Sequence, residues 1–185
     1  MILIGVTGKA RSGKDTVAKM LIEDLELMKY SFADPMKEAA RVMFGLTDEH
    51  VNGDLKETVI PELGVSPRHI LQTLGTDWGR DMIRQDLWVV LAQRRLNAIR
   101  ELGPASFCNG LIVPDVRFED EAMFIHDNGG ILIHVVRDGA PKVEAHRSEN
   151  GIEFQEGDIL IDNNGSLEDL HLTVSSLIEA EGLAA

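Results

Sequence analysis

A glycine-rich loop near the start of the sequence is the first stretch that could do chemistry. Residues 8–16 read GKARSGKDT, which contains the spacing Gly, four residues, Gly-Lys of a phosphate-binding loop. Gly8 and Gly13 allow the backbone to turn tightly, so that its N–H groups and the positive end of a following helix can hold an anion. Lys14 can then reach the β- and γ-phosphates of a nucleotide, and Arg11 can contact phosphate from within the loop.

The residue after the loop lysine departs from the usual pattern. A hydroxyl normally follows the lysine directly, whereas here Asp15 follows Lys14 and the hydroxyl comes one place later, at Thr16. A carboxylate in the first turn of a helix is favoured by the helix dipole by about 0.3–1 kcal/mol, but it repels phosphate unless a cation lies nearby. Asp15 is therefore an outer-shell magnesium group, a partner of Arg11, or a simple acid at a helix start. Thr16 is a second candidate near the metal.

Further charged residues follow two apolar segments later in the chain. Asp115 and Arg117 follow LIVP, and Arg137 follows ILIHVV. An acid at the end of a buried strand is placed to act near Mg²⁺ or its water, and arginines can neutralise the charge that moves in phosphoryl transfer. The alternative for Asp115 and Arg117 is a structural ion pair. Arg137 precedes a polar segment at about 138–157 that contains Arg147, and the composition of this segment suggests a closing lid.

A predicted helix in the first half of the chain carries residues suited to a second ligand. It spans residues 66–77, SPRHILQTLGTD, and by the 3.6-residue period its polar face consists of Arg68, Gln72, Gly75 and Thr76. Arg68 and Gln72 lie one turn apart and can hold a phosphate and a base edge, or they are solvated surface residues. Lys37, on an earlier helix, is a similar candidate for an acceptor phosphate. Trp88 lies among apolar neighbours, a pattern that favours the core.

The elements that must position these residues alternate along the chain. Short apolar runs predict strands at residues 2–7, 30–33, 111–113, 131–136 and 158–161. Helices are expected to begin at residue 14, at Asp34-Pro35 with Asp34 as the cap, at Ser66-Pro67, and at residues 86, 119 and 166. This alternation indicates an α/β fold, a parallel sheet with helices on both faces, which binds ligands beyond the carboxyl ends of its strands. His134 lies in a predicted strand and is expected to be a satisfied core histidine.

Composition excludes several classes of function. The 185 residues, 44% of them hydrophobic, suffice for one domain with a proper core. A net charge of −13 makes the protein a poor partner for nucleic acid, so an anionic ligand must be held by a local basic cluster. The single cysteine, Cys108, excludes an intrachain disulfide and suits a reducing cytoplasm. No apolar run approaches the roughly 20 residues of a membrane span, and MILIGV does not resemble a signal peptide.

Taken together, these segments resemble the bacteriophage-type deoxynucleoside monophosphate kinases. The likeness covers most of the chain and rests on RSGKDT (11–16), DPMK (34–37), RHILQTLGTD (68–77), DLWV (86–89), IVPDVR (112–117), IHVVR (133–137) and GDILIDNNGSLEDL (157–170). A delayed hydroxyl like that of Thr16 also occurs in the GSGKGT loop of nucleoside monophosphate kinases. The GTPase motif NKxD and the transporter signature LSGGQ are absent from the sequence.

The resemblance implies a single P-loop kinase domain, residues 1–185, with a helical monophosphate-binding region at about 34–90 and a lid at about 138–157. It implies ATP-dependent phosphorylation of deoxynucleoside monophosphates with Mg²⁺. The phosphates of ATP would be held by residues 8–16, including Ser12, and its adenine would lie near Asn163 and Gly165, unless that turn only caps the last helix. The monophosphate site would comprise Lys37, Arg68, Gly75, Thr76 and Trp88, which opposes the core position indicated for Trp88 by periodicity.

Two other functions fit the phosphate loop. A kinase for dephospho-coenzyme A would need an acid near its hydroxyl acceptor, for which Asp34 is the candidate. A regulatory ATPase would bind and slowly hydrolyse ATP. The expected partners are nucleotides alone, without nucleic acid or membrane, in the cytoplasm (that of the host cell if the protein is phage-encoded). A homodimer is the commonest assembly for such a protein.

Overall fold

The structure is a computed structural model that describes residues 1–103, 108–139 and 152–183. The chain divides into two units, one formed by Met1–Ser31 with Arg95–Ala185 and the other by Phe32–Arg94. The predicted monophosphate-binding region, about 34–90, lies within the second unit. Most of the predicted lid, with Arg147, lies outside the described residues.

One parallel sheet organises the first unit. Its strands are β1 (Ile2–Thr7), β2 (Leu27–Lys29), β3 (Gly110–Val113), β4 (Ile131–Val136) and β5 (Ile159–Asp162), in the order β2-β3-β1-β4-β5. Every neighbouring pair is parallel, which confirms the predicted sheet. The strand expected at 30–33 is wrong, because pairing with β3 occupies Leu27–Lys29 instead. Glu26 adopts a φ of 52° and turns the chain directly from a helix into this strand.

The α-helices of the described residues are α1 (Lys14–Leu25), α2 (Asp34–Phe44), α3 (Asp48–Val51), α4 (Pro67–Gln72), α5 (Leu87–Leu102), α6 (Glu119–Asp127) and α7 (Leu167–Ala180). The Ser66 and Ser166 side chains cap α4 and α7, as their sequences predict. The predicted cap at Asp34 is wrong, since Ala33 takes the cap position and Asp34 is the first helical residue. Pro35 tolerates this shift, because N–H groups throughout the first helical turn lack intrahelical acceptors.

Different helices cover the two faces of the sheet. One face packs against α1 and α7 through buried side chains that include Ile4, Val6, Val17, Leu21, Ile133 and Val174. On the other face Gly5 approaches α6 so closely that a Cβ there would lie 2.8 Å from Ile125 Cγ1. Helices on both faces leave the carboxyl edge of the sheet to the loops that follow β1, β3 and β4.

The second unit is mostly helical and has a small core of its own. Its buried cluster consists of Ala40, Leu46, Val51 and Leu71. After Gln72, α4 continues as a π-helical segment, Thr73–Ile83, and Asp54–Glu57 forms a 3₁₀ turn. Because a π turn holds more residues than an α turn, the polar face predicted for residues 66–77 does not extend beyond Gln72. Among the described residues, no helix combines the length and apolar character that crossing a membrane would require.

Candidate active site

The glycine-rich loop connects β1 to α1, as the sequence predicts, and neither of its two glycines has room for a side chain. A Cβ on Gly8 would lie 2.5 Å from the carbonyl oxygen of Val135 in β4. Gly13 has a φ of 97°, and a Cβ there would collide with the side-chain amide of Asn163. The loop is therefore packed directly against the ends of β4 and β5, where only glycine fits.

The backbone of this loop presents N–H groups at the start of α1. The N–H of Ser12 donates to the Lys9 carbonyl at 3.1 Å, which closes the turn. The N–H groups of Gly13 and Lys14 donate to no acceptor within the described residues. Such donors at a helix N-terminus form a site for an anion, in line with the sequence pattern.

A pocket of about 380 Å³ opens beside the loop, at the carboxyl edge of the sheet. Its charged lining consists of the cations Lys9, Lys14, Arg117 and Arg137 and the carboxylates Asp115 and Asp138. Four cations facing two carboxylates make the pocket locally positive in a chain whose net charge is −13. The structure thus gathers four charged residues of the predicted site, Lys14, Asp115, Arg117 and Arg137, in one concavity that suits a polyanion.

Asp115 and Arg117 form the ion pair that their spacing allowed. Arg117 Nη2 lies 2.8 Å from Asp115 Oδ2. The other carboxylate oxygen, Oδ1, is buried and has no hydrogen-bond partner within the described residues. Leaving a buried acceptor unsatisfied costs about 1–3 kcal/mol, and more for a charged group. This oxygen is therefore a candidate ligand for a cation or for cation-bound water.

The residues present fit a magnesium ion. Mg²⁺ binds through one or two carboxylates together with water and substrate phosphates, so it needs no cluster of protein ligands. No group of three or more His, Cys, Asp or Glu residues forms a metal site in the part of the chain that the structure describes. Asp115 supplies the orphaned oxygen, and Thr16 is half-buried in the first turn of α1.

Asp15 does not pair with Arg11 in this structure. Asp15 is exposed in the first turn of α1, and no ion pair joins the two side chains within the described residues. Arg11 is exposed and adopts a φ of 63° in the loop. Asp15 is left with a place near magnesium-bound water or a role as a simple helix-start acid.

The turn after β5 touches the loop as well as capping α7. Asn163 is buried, and its Nδ2 donates to the Ser12 carbonyl at 2.8 Å. Gly165 lies against Asp169, whose carboxylate accepts from the Ser166 hydroxyl at 2.7 Å in the α7 cap. The contact between Asn163 and the loop is a feature that the sequence analysis missed, because the two residues lie 151 positions apart.

Two histidines share one buried carboxylate at the side of the pocket. His134 Nε2 lies 2.9 Å from Asp158 Oδ2, and His126 Nε2 lies 2.7 Å from Asp158 Oδ1. The backbone N–H of Gln155 also donates to Asp158, at 2.9 Å. His134 lines the pocket but is only 8% exposed, which confirms the expectation of a satisfied core histidine.

This network gives Asp158 a predictable effect on stability. Burial raises its pKa, but the hydrogen bonds from Gln155, His126 and His134 outweigh burial, so the pKa lies below the usual 3.8. A lowered pKa stabilises the fold above about pH 3.8, and that stability is lost as the pH falls through the lowered value. We expect Asp158→Asn to lower the free energy of unfolding by about 2–3 kcal/mol at pH 7. Urea unfolding of wild type and variant at pH 7, 5 and 3 measures the free energy of unfolding.

The matched control for Asp158→Asn is Asp24→Asn, at an exposed acid of α1. Its effect should stay within about 0.5 kcal/mol at every pH. The difference between wild type and Asp158→Asn should narrow as the pH falls from 3.8 toward the lowered native pKa, because the unfolded carboxylate takes up a proton there before the native one does. Equal stabilities of wild type and Asp158→Asn at pH 7 would contradict the assigned role of the network.

The predicted cations of the second unit are each held by a neighbouring side chain. Lys37 Nζ donates to Asn52 Oδ1 at 2.8 Å, and Arg68 pairs with Glu57. Gln72 is exposed on α4. The partners Asn52 and Glu57 come from the polar stretch 47–65, whose weak pattern gave no sign of these contacts.

Trp88 occupies the core position that the sequence pattern favours. The ring is only 7% exposed, and its Nε1 donates to the Gly75 carbonyl at 2.8 Å. A Cβ on Gly75 would lie 2.9 Å from Met36 Sδ, so this glycine makes room for a side chain. Gly75 and the neighbouring Thr76 are both half-buried. The core position indicated by periodicity is confirmed, and a role in substrate binding stays a prediction.

Comparison with known proteins establishes the relationship that these features suggest. A family model described as deoxynucleotide monophosphate kinase matches residues 2–60 and 48–174. The chain belongs to the deoxynucleotide monophosphate kinase family. It is 32% identical over 191 residues to a protein of Acanthamoeba polyphaga mimivirus, provisionally named for the same activity, with 97% of each chain covered.

Other relatives of this chain come from phages. The deoxynucleotide monophosphate kinase of Enterobacteria phage T4 is 26% identical over 246 residues, covering 97% of this chain and 99% of the relative. The deoxynucleoside-5'-monophosphate kinase of Escherichia phage T5 is 24% identical over 201 residues, covering 73% and 78%. The match to the family bears out the resemblance found in the sequence.

Solved structures support the fold. A sugar kinase from Janibacter sp. HTCC2649 superposes with a TM-score of 0.53 at 15% identity, covering 100% of this chain and 99% of its own. The protein TT1252 from Thermus thermophilus gives a TM-score of 0.51 at 20% identity, with 97% of both chains covered. At these identities the likeness concerns the fold alone, and it fits a P-loop kinase.

Proposed function

We propose that the protein transfers the γ-phosphoryl group of ATP to the phosphate of a deoxynucleoside monophosphate. The products are ADP and the deoxynucleoside diphosphate. The positive pocket beside the glycine-rich loop carries this proposal, because it offers a polyanion both backbone donors and cations in a chain of this family. Phosphoryl transfer requires mainly positioning and charge neutralisation, and such a pocket supplies both.

The loop is the proposed site of the ATP phosphates. The N–H groups of Gly13 and Lys14 have no other acceptor among the described residues, and the dipole of α1 adds positive potential at the same place. The Lys14 side chain lines the pocket and supplies a mobile positive charge for the phosphate oxygens. Arg11 is proposed to join them from the loop.

Asp115, Thr16 and Asp15 are the proposed neighbours of Mg²⁺. Bound there with ATP, the ion would neutralise charge on the phosphate oxygens. Asp115 contributes Oδ1, which has no hydrogen-bond partner among the described residues, while its Oδ2 keeps the ion pair with Arg117. That pair holds the carboxylate in one orientation and keeps a guanidinium beside the pocket.

The proposed monophosphate site comprises Lys37, Arg68, Gln72, Gly75, Thr76 and Trp88. Lys37 and Arg68 have the charge that a phosphate needs, and each would exchange a protein partner, Asn52 or Glu57, for substrate oxygens. No general base is required, because a phosphate acceptor is already ionised at pH 7. Arg137 at the pocket and Arg147 in the lid segment are proposed to neutralise the transferring group.

An acceptor panel tests the proposed function. ADP release is followed in a coupled assay with ATP, Mg²⁺ and each deoxynucleoside monophosphate in turn, with dephospho-coenzyme A and no acceptor as comparisons. We expect turnover with at least one monophosphate far above the rate without acceptor. Turnover with dephospho-coenzyme A alone would support the other kinase, and an equal rate without acceptor would support a regulatory ATPase.

Arg68→Ala separates the two proposed sites. We expect the KM for the monophosphate to rise about 10- to 100-fold, since a charge-assisted hydrogen bond contributes about 1.5–3 kcal/mol. The KM for ATP should change less than about threefold. Steady-state kinetics with each substrate varied in turn provides both constants.

Arg84→Ala is the matched control, because Arg84 is an exposed arginine of the same unit whose Nη2 pairs with Asp86 at 2.9 Å. It should leave both KM values unchanged. Equal increases in both KM values for Arg68→Ala would count against its place in a separate monophosphate site.

A further inference from the structure

We propose that Asn163 is a positioning residue, which holds the phosphate loop in the conformation that binds phosphate. The inference rests on the proposed binding of nucleotide phosphates at the loop. This role differs from the one that the family resemblance implies, in which Asn163 lies near the adenine of ATP. Its evidence is the contact between the Asn163 amide and the Ser12–Gly13 peptide.

Asn163 is held through both its backbone and its side chain. Its backbone N–H donates to the Val136 carbonyl at 2.8 Å, which anchors the residue to the end of β4. Its Nδ2 donates to the Ser12 carbonyl at 2.8 Å, and the residue is 7% exposed. Water cannot easily replace a hydrogen bond that is shielded from solvent. The bond from Asn163 to Ser12 therefore constrains the loop more than an exposed contact would.

The bond to Ser12 also sets the direction of the next N–H group. The Ser12–Gly13 peptide is planar and trans, so its C=O and its N–H point in opposite directions. Because Asn163 holds the carbonyl, the Gly13 N–H is turned to the other side of the loop. That N–H donates to no acceptor within the described residues. The amide of Asn163 therefore fixes one of the donors proposed for phosphate.

Packing adds to the effect of the hydrogen bond. The Cα of Gly13 lies so close to the Asn163 amide that a Cβ on Gly13 would collide with Nδ2. The amide therefore packs against the loop at Gly13, whose φ of 97° lies in the left-handed region. Removing the amide deletes both the bond and this support, and the peptide becomes free to rotate.

The test compares two ligands that differ in whether they contain a base. ADP and inorganic pyrophosphate are titrated into wild type and Asn163→Ala, with binding measured by calorimetry in the presence of Mg²⁺. We expect Asn163→Ala to weaken both ligands by a similar factor, about tenfold, as the loss of a buried hydrogen bond suggests. A loss confined to ADP would overturn the inference, because it would place Asn163 against the adenine.

Asn109→Ala is the matched control. Asn109 Nδ2 donates to the Leu25 carbonyl at 3.1 Å, a side-chain to backbone bond of the same kind that joins segments 84 residues apart. Asn109 immediately precedes β3, at the edge of the sheet opposite the loop. We expect this variant to lose stability without losing affinity for either ligand. Equal losses of affinity in the two variants would reduce Asn163 to a general stabilising residue and overturn the inference.

A second variant guards against misfolding. Asn163→Ser keeps a shorter donor and should give affinities between those of wild type and Asn163→Ala, at a melting temperature that shows it is folded. An affinity for pyrophosphate equal to that of wild type in this folded variant and in Asn163→Ala would contradict the proposal. The proposed function can fail separately, because a protein that binds ADP but phosphorylates no monophosphate still reports on the loop.

Discussion

Lys14→Met is expected to lower kcat by about 100- to 1,000-fold, the range seen when one preorganised charge-stabilising group is removed. Lys14 lines the pocket at the first position of α1, where its charge can follow the phosphoryl group during transfer. Methionine has a similar length and helix propensity but no charge, so the fold should be retained. Steady-state kinetics with saturating ATP and monophosphate measures kcat, and the melting temperature reports on folding.

Lys19→Met is the control for this substitution. Lys19 lies on the same helix, its side chain is 76% exposed, and it pairs with Glu23 at 3.8 Å. An exposed ion pair of this kind contributes little, so kcat should stay within about twofold of wild type. If kcat fell less than tenfold in folded Lys14→Met, the proposed catalytic role of Lys14 would be contradicted.

Asp115→Asn is expected to lower kcat by a comparable factor, about 100-fold, and to raise the Mg²⁺ concentration needed for half-maximal activity. The carboxylate has one oxygen paired with Arg117 and one buried without a partner among the described residues. An amide keeps the size of the side chain but removes the negative charge that a divalent cation or its water requires. Activity measured across a magnesium series gives both effects.

Asp127→Asn, at an exposed acid that ends α6, is the control and should leave the magnesium series unchanged. Asp115→Asn should also keep a melting temperature close to that of wild type, because the ion pair with Arg117 that it weakens is partly exposed and contributes little to stability. If Asp115→Asn lost activity with no change in magnesium dependence, its role would be confined to orienting Arg117.

The parts of the fold that follow local rules could be predicted from the sequence. The apolar run of β1, the glycine spacing of the loop and the 3.6-residue period of α1 each report on neighbouring residues, so strand, loop and helix were all placed. Ser66 and Ser166 cap α4 and α7 for the same reason. In the sheet, β1 lies between β3 and β4, and all three strands are parallel. Their carboxyl ends therefore meet at one edge, which brings Asp115 and Arg137 into the same pocket as Lys14.

Other features depend on residues far apart in the chain and left no local pattern. The contact of Asn163 with Ser12 spans 151 residues. The sharing of Asp158 by His126 and His134 joins three segments whose sequences give no sign of contact. Tertiary packing decides such pairs, and one sequence does not contain that information in its spacing.

The π-helical segment Thr73–Ile83 shows a different limit of prediction. The sequence predicts that the 3.6-residue period of α4 continues through Gly75 and Thr76, but the helix widens after Gln72. The indole of Trp88 donates to the Gly75 carbonyl inside this segment, and a Cβ on Gly79 would lie 2.5 Å from the same ring. Packing around one large side chain therefore accompanies the change of helix type, which propensity does not encode.

The most direct test of the proposed function follows the γ-phosphoryl group itself. ATP labelled with ³²P at the γ position is incubated with the protein, Mg²⁺ and one deoxynucleoside monophosphate at a time, and the products are separated. The proposed function predicts label in the terminal phosphate of a deoxynucleoside diphosphate, one for each ADP formed, and loss of that product with Lys14→Met. Label released only as inorganic phosphate, or retained in ATP with every monophosphate, would contradict it.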